Sequence, residues 1–214
     1  KDTGERRTYP NMLSREGSRG MEYNAWSEGN PPNHTLILPF TRMLSGPMDL
    51  TPGIFDIDIE QGYGRKIHTT IAKQLAYYVT IYSPVQMLAD LPEYYVGNPA
   101  FQFLQDVPVD WEDTKILNGE IGEYITTVRK DRNSEDWYLG SMTNKKSREF
   151  EIELSFLAEQ AKYEAQIYAD APETGWENNP ENVAISKQEV NKNSTLKINL
   201  GEGGGTAIRF KKID

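Results

Sequence analysis

Between Glu149 and Leu154 the chain reads Glu-Phe-Glu-Ile-Glu-Leu, with every second residue apolar. A period of two sends Phe150, Ile152 and Leu154 to one face of an extended strand and the three glutamates to the other. No helix face can collect that pattern, so the segment predicts a half-buried antiparallel strand. The same period appears where Tyr124, Thr126 and Val128 alternate with Ile125, Thr127 and Arg129. Further strands are expected at Trp137–Gly140, Tyr163–Tyr168, Leu196–Leu200 and Thr206–Phe210. Turn-forming residues cluster at Asp131–Ser134, Asn144–Lys146 and Gly201–Gly205. Short strands at this spacing predict a small antiparallel β-sandwich domain over 108–214. The run Gly201-Glu202-Gly203-Gly204-Gly205 lacks the Lys-Ser/Thr of a phosphate loop and opens no helix, so it reads as a hairpin turn. Glu173–Asn182 reads as a polar loop.

Upstream of residue 108 the pattern is different. Ile67, Ile71, Leu75, Tyr78, Val79 and Tyr82 recur at helical spacing and predict a helix over about 66–82, ended by Pro84. Thr35–Leu44 reads as a short helix followed by Gly46-Pro47, and Pro99–Gln105 as another, with Phe101 and Leu104 inward. Met48–Phe55 reads as a loop or short strand with a turn at Pro52-Gly53. The chain therefore divides into 1–107 and 108–214.

Composition narrows the function classes. The 214 residues carry 23 Lys+Arg against 32 Asp+Glu, a net charge of −9. Such an acidic chain is a poor partner for nucleic acid or an anionic membrane. There is no cysteine, which excludes disulfides, thiolate nucleophiles and Cys-ligated zinc. No apolar stretch approaches the roughly 20 residues that a membrane helix needs, so no membrane insertion is expected. Lys1-Asp2-Thr3-Gly4-Glu5-Arg6-Arg7 has neither initiator methionine nor signal-peptide pattern and reads as the middle of a longer protein.

Candidate chemistry concentrates at Glu16, Glu22 and Glu28, six residues apart in a stretch that also holds Arg15, Arg19, Tyr23 and Trp26. A spacing of six turns an α-helix through about 600°, so the three do not share an ideal helical face. They are expected on loops, where a scaffold holds functional groups. Carboxylates transfer protons or bind hard cations. Tyr and Trp offer flat faces to a sugar ring. Glu22 stands between Met21 and Tyr23, a setting that would raise its pKa if buried and suit a general acid. The competing reading is an acidic surface loop. Asp49 is a further ligand-facing candidate. His34 and His68, the two histidines, show no metal-ligand spacing, and His68 reads as structural. Trp111, Trp137 and Trp176 are either sugar platforms or core packing.

Beyond this physical reading, several motifs together resemble one family. They are Arg7-Thr8-Tyr9-Pro10-Asn11, Arg15-Glu16-Gly17-Ser18-Arg19-Gly20-Met21-Glu22-Tyr23-Asn24, His34-Thr35 with Leu38-Pro39-Phe40-Thr41-Arg42, and Gly46-Pro47-Met48-Asp49-Leu50-Thr51-Pro52-Gly53. Ala72-Lys73-Gln74-Leu75-Ala76, Tyr82-Ser83-Pro84, Ala89-Asp90-Leu91-Pro92-Glu93, Ala100-Phe101-Gln102-Phe103, Asp136-Trp137-Tyr138-Leu139-Gly140 and Gly203-Gly204-Gly205 extend the match along the chain. In this order they resemble glycoside hydrolase family 97, a family of α-glucosidases and α-galactosidases. The resemblance implies that 1–107 is the last part of a (β/α)8 barrel and 108–214 a C-terminal antiparallel β-domain. It implies Glu22 as general acid and Glu16 as a calcium ligand, with Tyr23, Trp26 and Asp49 shaping the substrate pocket. It also implies an oligosaccharide or α-glycoside substrate and a periplasmic or secreted bacterial location. The opposing carboxylate and the other calcium ligands would lie upstream, in a missing N-terminal part of the same enzyme. The alternative is a noncatalytic carbohydrate-binding or structural β-module, using Trp137 or Trp176.

Overall fold

A computed structural model of the chain describes residues 5–59 and 65–213; residues 1–4, at the start of the basic N-terminal stretch, lie outside them. Helices are short: α1 (Glu5–Thr8), α2 (Tyr23–Trp26), α3 (Ile71–Thr80), α4 (Pro92–Tyr95) and α5 (Phe101–Asp106). Eight strands follow: β1 (Trp111–Glu120), β2 (Tyr124–Asp131), β3 (Trp137–Thr143), β4 (Arg148–Glu153), β5 (Tyr163–Asp170), β6 (Val183–Val190), β7 (Thr195–Leu200) and β8 (Gly205–Lys212). Every strand pair is antiparallel. They form a six-stranded sheet in the order β1-β2-β3-β8-β5-β6 and a two-stranded sheet, β4-β7.

The larger sheet is covered on both faces around its middle. Val128, Leu139 and Ile208 meet Ile152, Leu196 and Ile198 of the smaller sheet in one core. Ile125, Tyr138, Met142 and Ala207, alternating with those residues, face α3 in the other. β3 is consequently buried along its whole length.

The expected helix over 66–82 is shorter than its apolar spacing suggests. Thr70 adopts an extended conformation, and its hydroxyl accepts from the Lys73 N–H at 3.2 Å, starting α3 at Ile71. Residues upstream are held extended instead, with Ile67 N–H donating to Ile57 O at 2.9 Å. All ten residues of α3 are buried, because the sheet lies on one side and the loops of the first half on the other. Thr35–Leu44 is not one helix but three 3-10 turns, His34–Leu36, Leu38–Phe40 and Arg42–Ser45. Pro39 lacks the donor that a continuous α-helix would need there.

Close contact between α3 and the sheet depends on two glycines. A Cβ on Gly140 would stand 2.7 Å from Ala76 O. One on Gly205 would stand 2.8 Å from both Lys73 Cα and Ser141 O. Arg129 of β2 is buried and donates from Nε to Val79 O at 2.5 Å, satisfying a carbonyl at the end of α3.

The glycine run is not a hairpin. β7 pairs with β4, whereas β8 lies between β3 and β5, so Gly201–Gly205 carries the chain from one sheet to the other. Buried Asp170 accepts from the N–H groups of Gly201 and Gly205, both at 2.8 Å, and folds the corner. Because the clash at Gly205 is with backbone, Gly205→Ala should lower stability by about 1–3 kcal/mol. Urea unfolding would show this as a lower midpoint with an unchanged m value.

Candidate functional site

The glutamate loop lies alongside the segment that carries Asp49. Arg15 and Met48 form an isolated parallel bridge, and Asp49 N–H donates to Arg15 O at 3.1 Å. Six residues on, Met21 N–H donates to Leu50 O at 2.9 Å. Glu16 and Asp49 thus each follow immediately after the bridged residues.

Arg42 fastens the two segments. Its guanidinium donates to the carbonyls of Arg15 (2.5 Å) and Glu16 (2.9 Å) on one side and of Gly46 and Pro47 (both 3.2 Å) on the other. Gly17 has φ +64°, and a Cβ there would lie 2.5 Å from Arg42 Nε, so this turn accommodates the clamp only as glycine.

Glu16 and Glu22 converge. Glu16 Oε1 accepts from Gly20 N–H at 3.0 Å. A Cβ on Gly20 would stand 3.0 Å from that same oxygen and 2.6 Å from Glu22 Oε2. The two carboxylates therefore border one spot beside the backbone of Gly20. Both residues are exposed, so the buried setting considered for Glu22 is not found among the described residues.

The buried amides of Asn24 and Asn30, buried His34 and half-buried His68 hold the rest of the loop. Asn24 Nδ2 donates to Met21 O at 2.8 Å, while Asn24 Oδ1 accepts from Asn30 N–H at 2.9 Å. Asn30 Nδ2 donates to Gly20 O at 2.9 Å. His34 Nε2 lies 2.9 Å from Arg19 O, and His68 Nδ1 lies 3.1 Å from Asn30 O. A carbonyl only accepts, so each of these nitrogens carries the proton. Burial, the largest influence, lowers both histidine pKa values and keeps the rings neutral at pH 7. Both histidines are loop anchors. His68 precedes α3 rather than starting it.

Glu22 borders a hollow of about 440 Å³ that it shares with Met21, Thr51, Ile54, Asp56 and Met87. The far wall is pinned by Gln74 Oε1, which accepts from Gly53 N–H at 3.0 Å, and by Asp90 Oδ2, which accepts from Phe55 and Asp56 N–H at 2.7 and 2.8 Å. Trp26 closes α2 with 65% of its surface exposed, and its ring meets Tyr23 edge-on at 4.8 Å. The Arg19 guanidinium lies 4.7 Å over Tyr23. Glu28 is exposed, in keeping with a plain loop carboxylate.

Two of the three tryptophans of the second half are core residues rather than platforms. Trp111 and Trp137 are buried. Trp176 is half-buried, with the His68 ring at 4.7 Å and the backbone of Gly203 against its indole.

Three comparisons bear on this arrangement. The family description "Glycosyl-hydrolase 97 C-terminal, oligomerisation" matches residues 110–211. A retaining alpha-galactosidase of Bacteroides thetaiotaomicron is 34% identical over 99% of the chain. A glycoside hydrolase family 97 enzyme from Pseudoalteromonas sp. strain K8, solved with acarbose, superposes over the whole chain with a TM-score of 0.95 at 50% identity. The chain belongs to glycoside hydrolase family 97. A variant of the Pseudoalteromonas enzyme solved with panose gives the same TM-score at 49% identity. The family 97 chain described here spans about a third of these relatives, 32% of the galactosidase and 34% of the Pseudoalteromonas enzyme.

Motif reading named Glu16, Glu22, Tyr23, Trp26 and Asp49, but gave no role to Arg42, Asn24, Asn30, Gln74 or Asp90. Their signal was available only as polar residues beside apolar neighbours, in a glycine-rich context for Asn24 and Asn30. Arg42→Lys removes the planar fork that reaches four carbonyls. It should speed hydrogen exchange at the amides of Gly20 and Asp49 at least about tenfold, with a local cost of about 1–3 kcal/mol. Amides of β3 and β8 should be unaffected.

Proposed function

We propose that this chain supplies one wall of an α-glycosidase site, with Glu22 as the general acid that protonates the leaving glycosidic oxygen. The observation that carries this reading is the convergence of Glu22 Oε2 and Glu16 Oε1 beside Gly20, on a loop fixed by Arg42, Asn24 and Asn30. Membership in family 97 and the activity named for the Bacteroides relative support it. As the C–O bond breaks, Glu22 gives its proton to the departing oxygen, and the leaving sugar departs as a neutral alcohol. In a retaining reaction its carboxylate would then take a proton from the attacking water. Tyr23, Trp26 and Asp49 border the substrate in this reading.

The parallel Arg15–Met48 bridge supports assigning these segments to neighbouring strands of a (β/α)8 barrel, with 1–107 its last part and 108–214 the appended β-domain. Active-site residues of that fold follow the C-terminal ends of the strands, and in this reading Glu16 and Asp49, each next after a bridged residue, would do so.

Glu16 fits calcium as a contributor. It is an exposed carboxylate with one oxygen oriented by the Gly20 amide. Calcium takes about six to eight oxygens, and the described residues hold no cluster of three acidic or histidine side chains suited to a metal. The remaining ligands belong to chain outside the described residues, as does the second carboxyl, about 5–5.5 Å from the first in retaining enzymes. When bound, calcium would place fixed positive charge beside the sugar. A compartment outside the cytoplasm belongs to the same reading. So does an assembly role for the β-domain, drawn from the oligomerisation named in the description of residues 110–211.

In the intact enzyme, Glu22→Gln should slow hydrolysis of substrates with poor leaving groups by at least about a hundredfold. An aryl glycoside with an activated leaving group should lose far less. Equal, small losses on both would remove Glu22 from the chemistry. The 214-residue chain alone should show no turnover of either substrate, and measurable hydrolysis by it would contradict a site completed from outside.

A further inference from the structure

The two edges of the larger sheet are built differently. β1, at one end, has register shifts at Trp111/Asp113 and Ile116/Asn118 and carries Glu112, Asp113, Lys115 and Glu120. Bulges that break the register are one device by which an edge avoids pairing. β6, at the other end, keeps unbroken register with β5 over eight residues and contains neither proline nor glycine. It is exposed from Ala184 to Glu189.

The side chains of β6 fit a second copy of the same strand. Val183 packs toward the α3-side core and Val190 toward the sandwich core. By the period of two, Ile185, Lys187 and Glu189 share the face of Val183. Lys187 and Glu189 are thus two residues apart on one face. If two β6 strands pair antiparallel about a two-fold axis at Gln188, Lys187 of each copy stands opposite Glu189 of the other. A symmetric interface requires this self-complementarity, and opposite charges directly across a strand pair are favourable. Within the chain Lys187 already meets Glu164 at 3.1 Å and Glu189 meets Lys162 at 2.9 Å. The pairing would extend these contacts into one charged row. At the start of the strand, Ile185 (39% exposed) and Val96 (82% exposed) border one shallow hollow and add apolar surface beside the edge.

We propose that β6 is the surface through which two copies of this protein associate, by antiparallel β6–β6 pairing that makes one continuous sheet across the pair. This rests on the assembly role of the β-domain given above and names its strand and its partner. The test is sedimentation of the intact enzyme over a range of concentrations, with circular dichroism to verify folding. The unsubstituted enzyme should dimerise. K187E sets glutamates opposite each other at both symmetry-related contacts and should weaken dimerisation at least about tenfold. The double swap K187E/E189K should restore it, which a general loss of stability would not allow. A monomeric unsubstituted enzyme would overturn both the proposal and the assembly role. A dimer indifferent to K187E, or one that the double swap fails to restore, would overturn the β6 surface and leave the assembly role standing.

Discussion

The ammonium of Lys73 joins the two halves of this chain. It is fully buried and donates to Pro32 O at 2.8 Å and Thr143 O at 2.9 Å, one carbonyl from the loops of the first half and one from the end of β3. Desolvation pushes its pKa down to about 7 against the attraction of Asp170. Asp170 is pushed up to about 6, again chiefly by burial, although Thr70 and the amides of Gly201 and Gly205 favour its charged form. A buried polar group is tolerable only where partners replace water, and here those partners come from separate parts of the fold. The position of α3 on the sheet, the corner at Gly201–Gly205 and the Pro32 loop are therefore set together.

From that frame the site loop is suspended by short steps. Pro32 stands between Asn30, which His68 and Asn24 hold, and His34, which holds Arg19. On the far side of the hollow, Gln74 of α3 reaches the Pro52-Gly53 turn, where Gly53 takes φ +95°. Thus α3 contributes Lys73 toward the β-domain and Gln74 toward the candidate site. The β-domain braces the helix that positions the loop, which gives a physical account of why both halves belong in one structural unit.

What the sequence revealed followed how cleanly each face was divided between core and water. The Phe150-Ile152-Leu154 alternation lies in β4, and the Tyr163–Tyr168 segment in β5. β6 escaped notice because Ser186, Lys187, Gln188 and Glu189 are polar on both faces, as an exposed edge permits. β1 was blurred by its register shifts, which break the period. The glycine run was legible as a turn, but its change of sheet depends on Asp170, 31 residues away from Gly201. At the site, a spacing of six gave no common face to Glu16 and Glu22. They border one spot because Gly20 has no side chain to fill it, and that is a tertiary fact.

The openness of the glutamate loop follows from the same division of labour. Every strong constraint on it acts on backbone: Arg42 on the carbonyls of Arg15 and Glu16, Asn30 on that of Gly20, and Leu50 on the amide of Met21. The side chains of Glu16, Glu22 and Trp26 are left pointing outward. A loop whose backbone is this thoroughly tied gains nothing in stability from an exposed tryptophan next to two carboxylates. Solvated surface needs neither the clamp nor the convergence at Gly20. A fixed backbone that leaves the Glu16 and Glu22 carboxylates at the surface is the arrangement that preorganised binding requires.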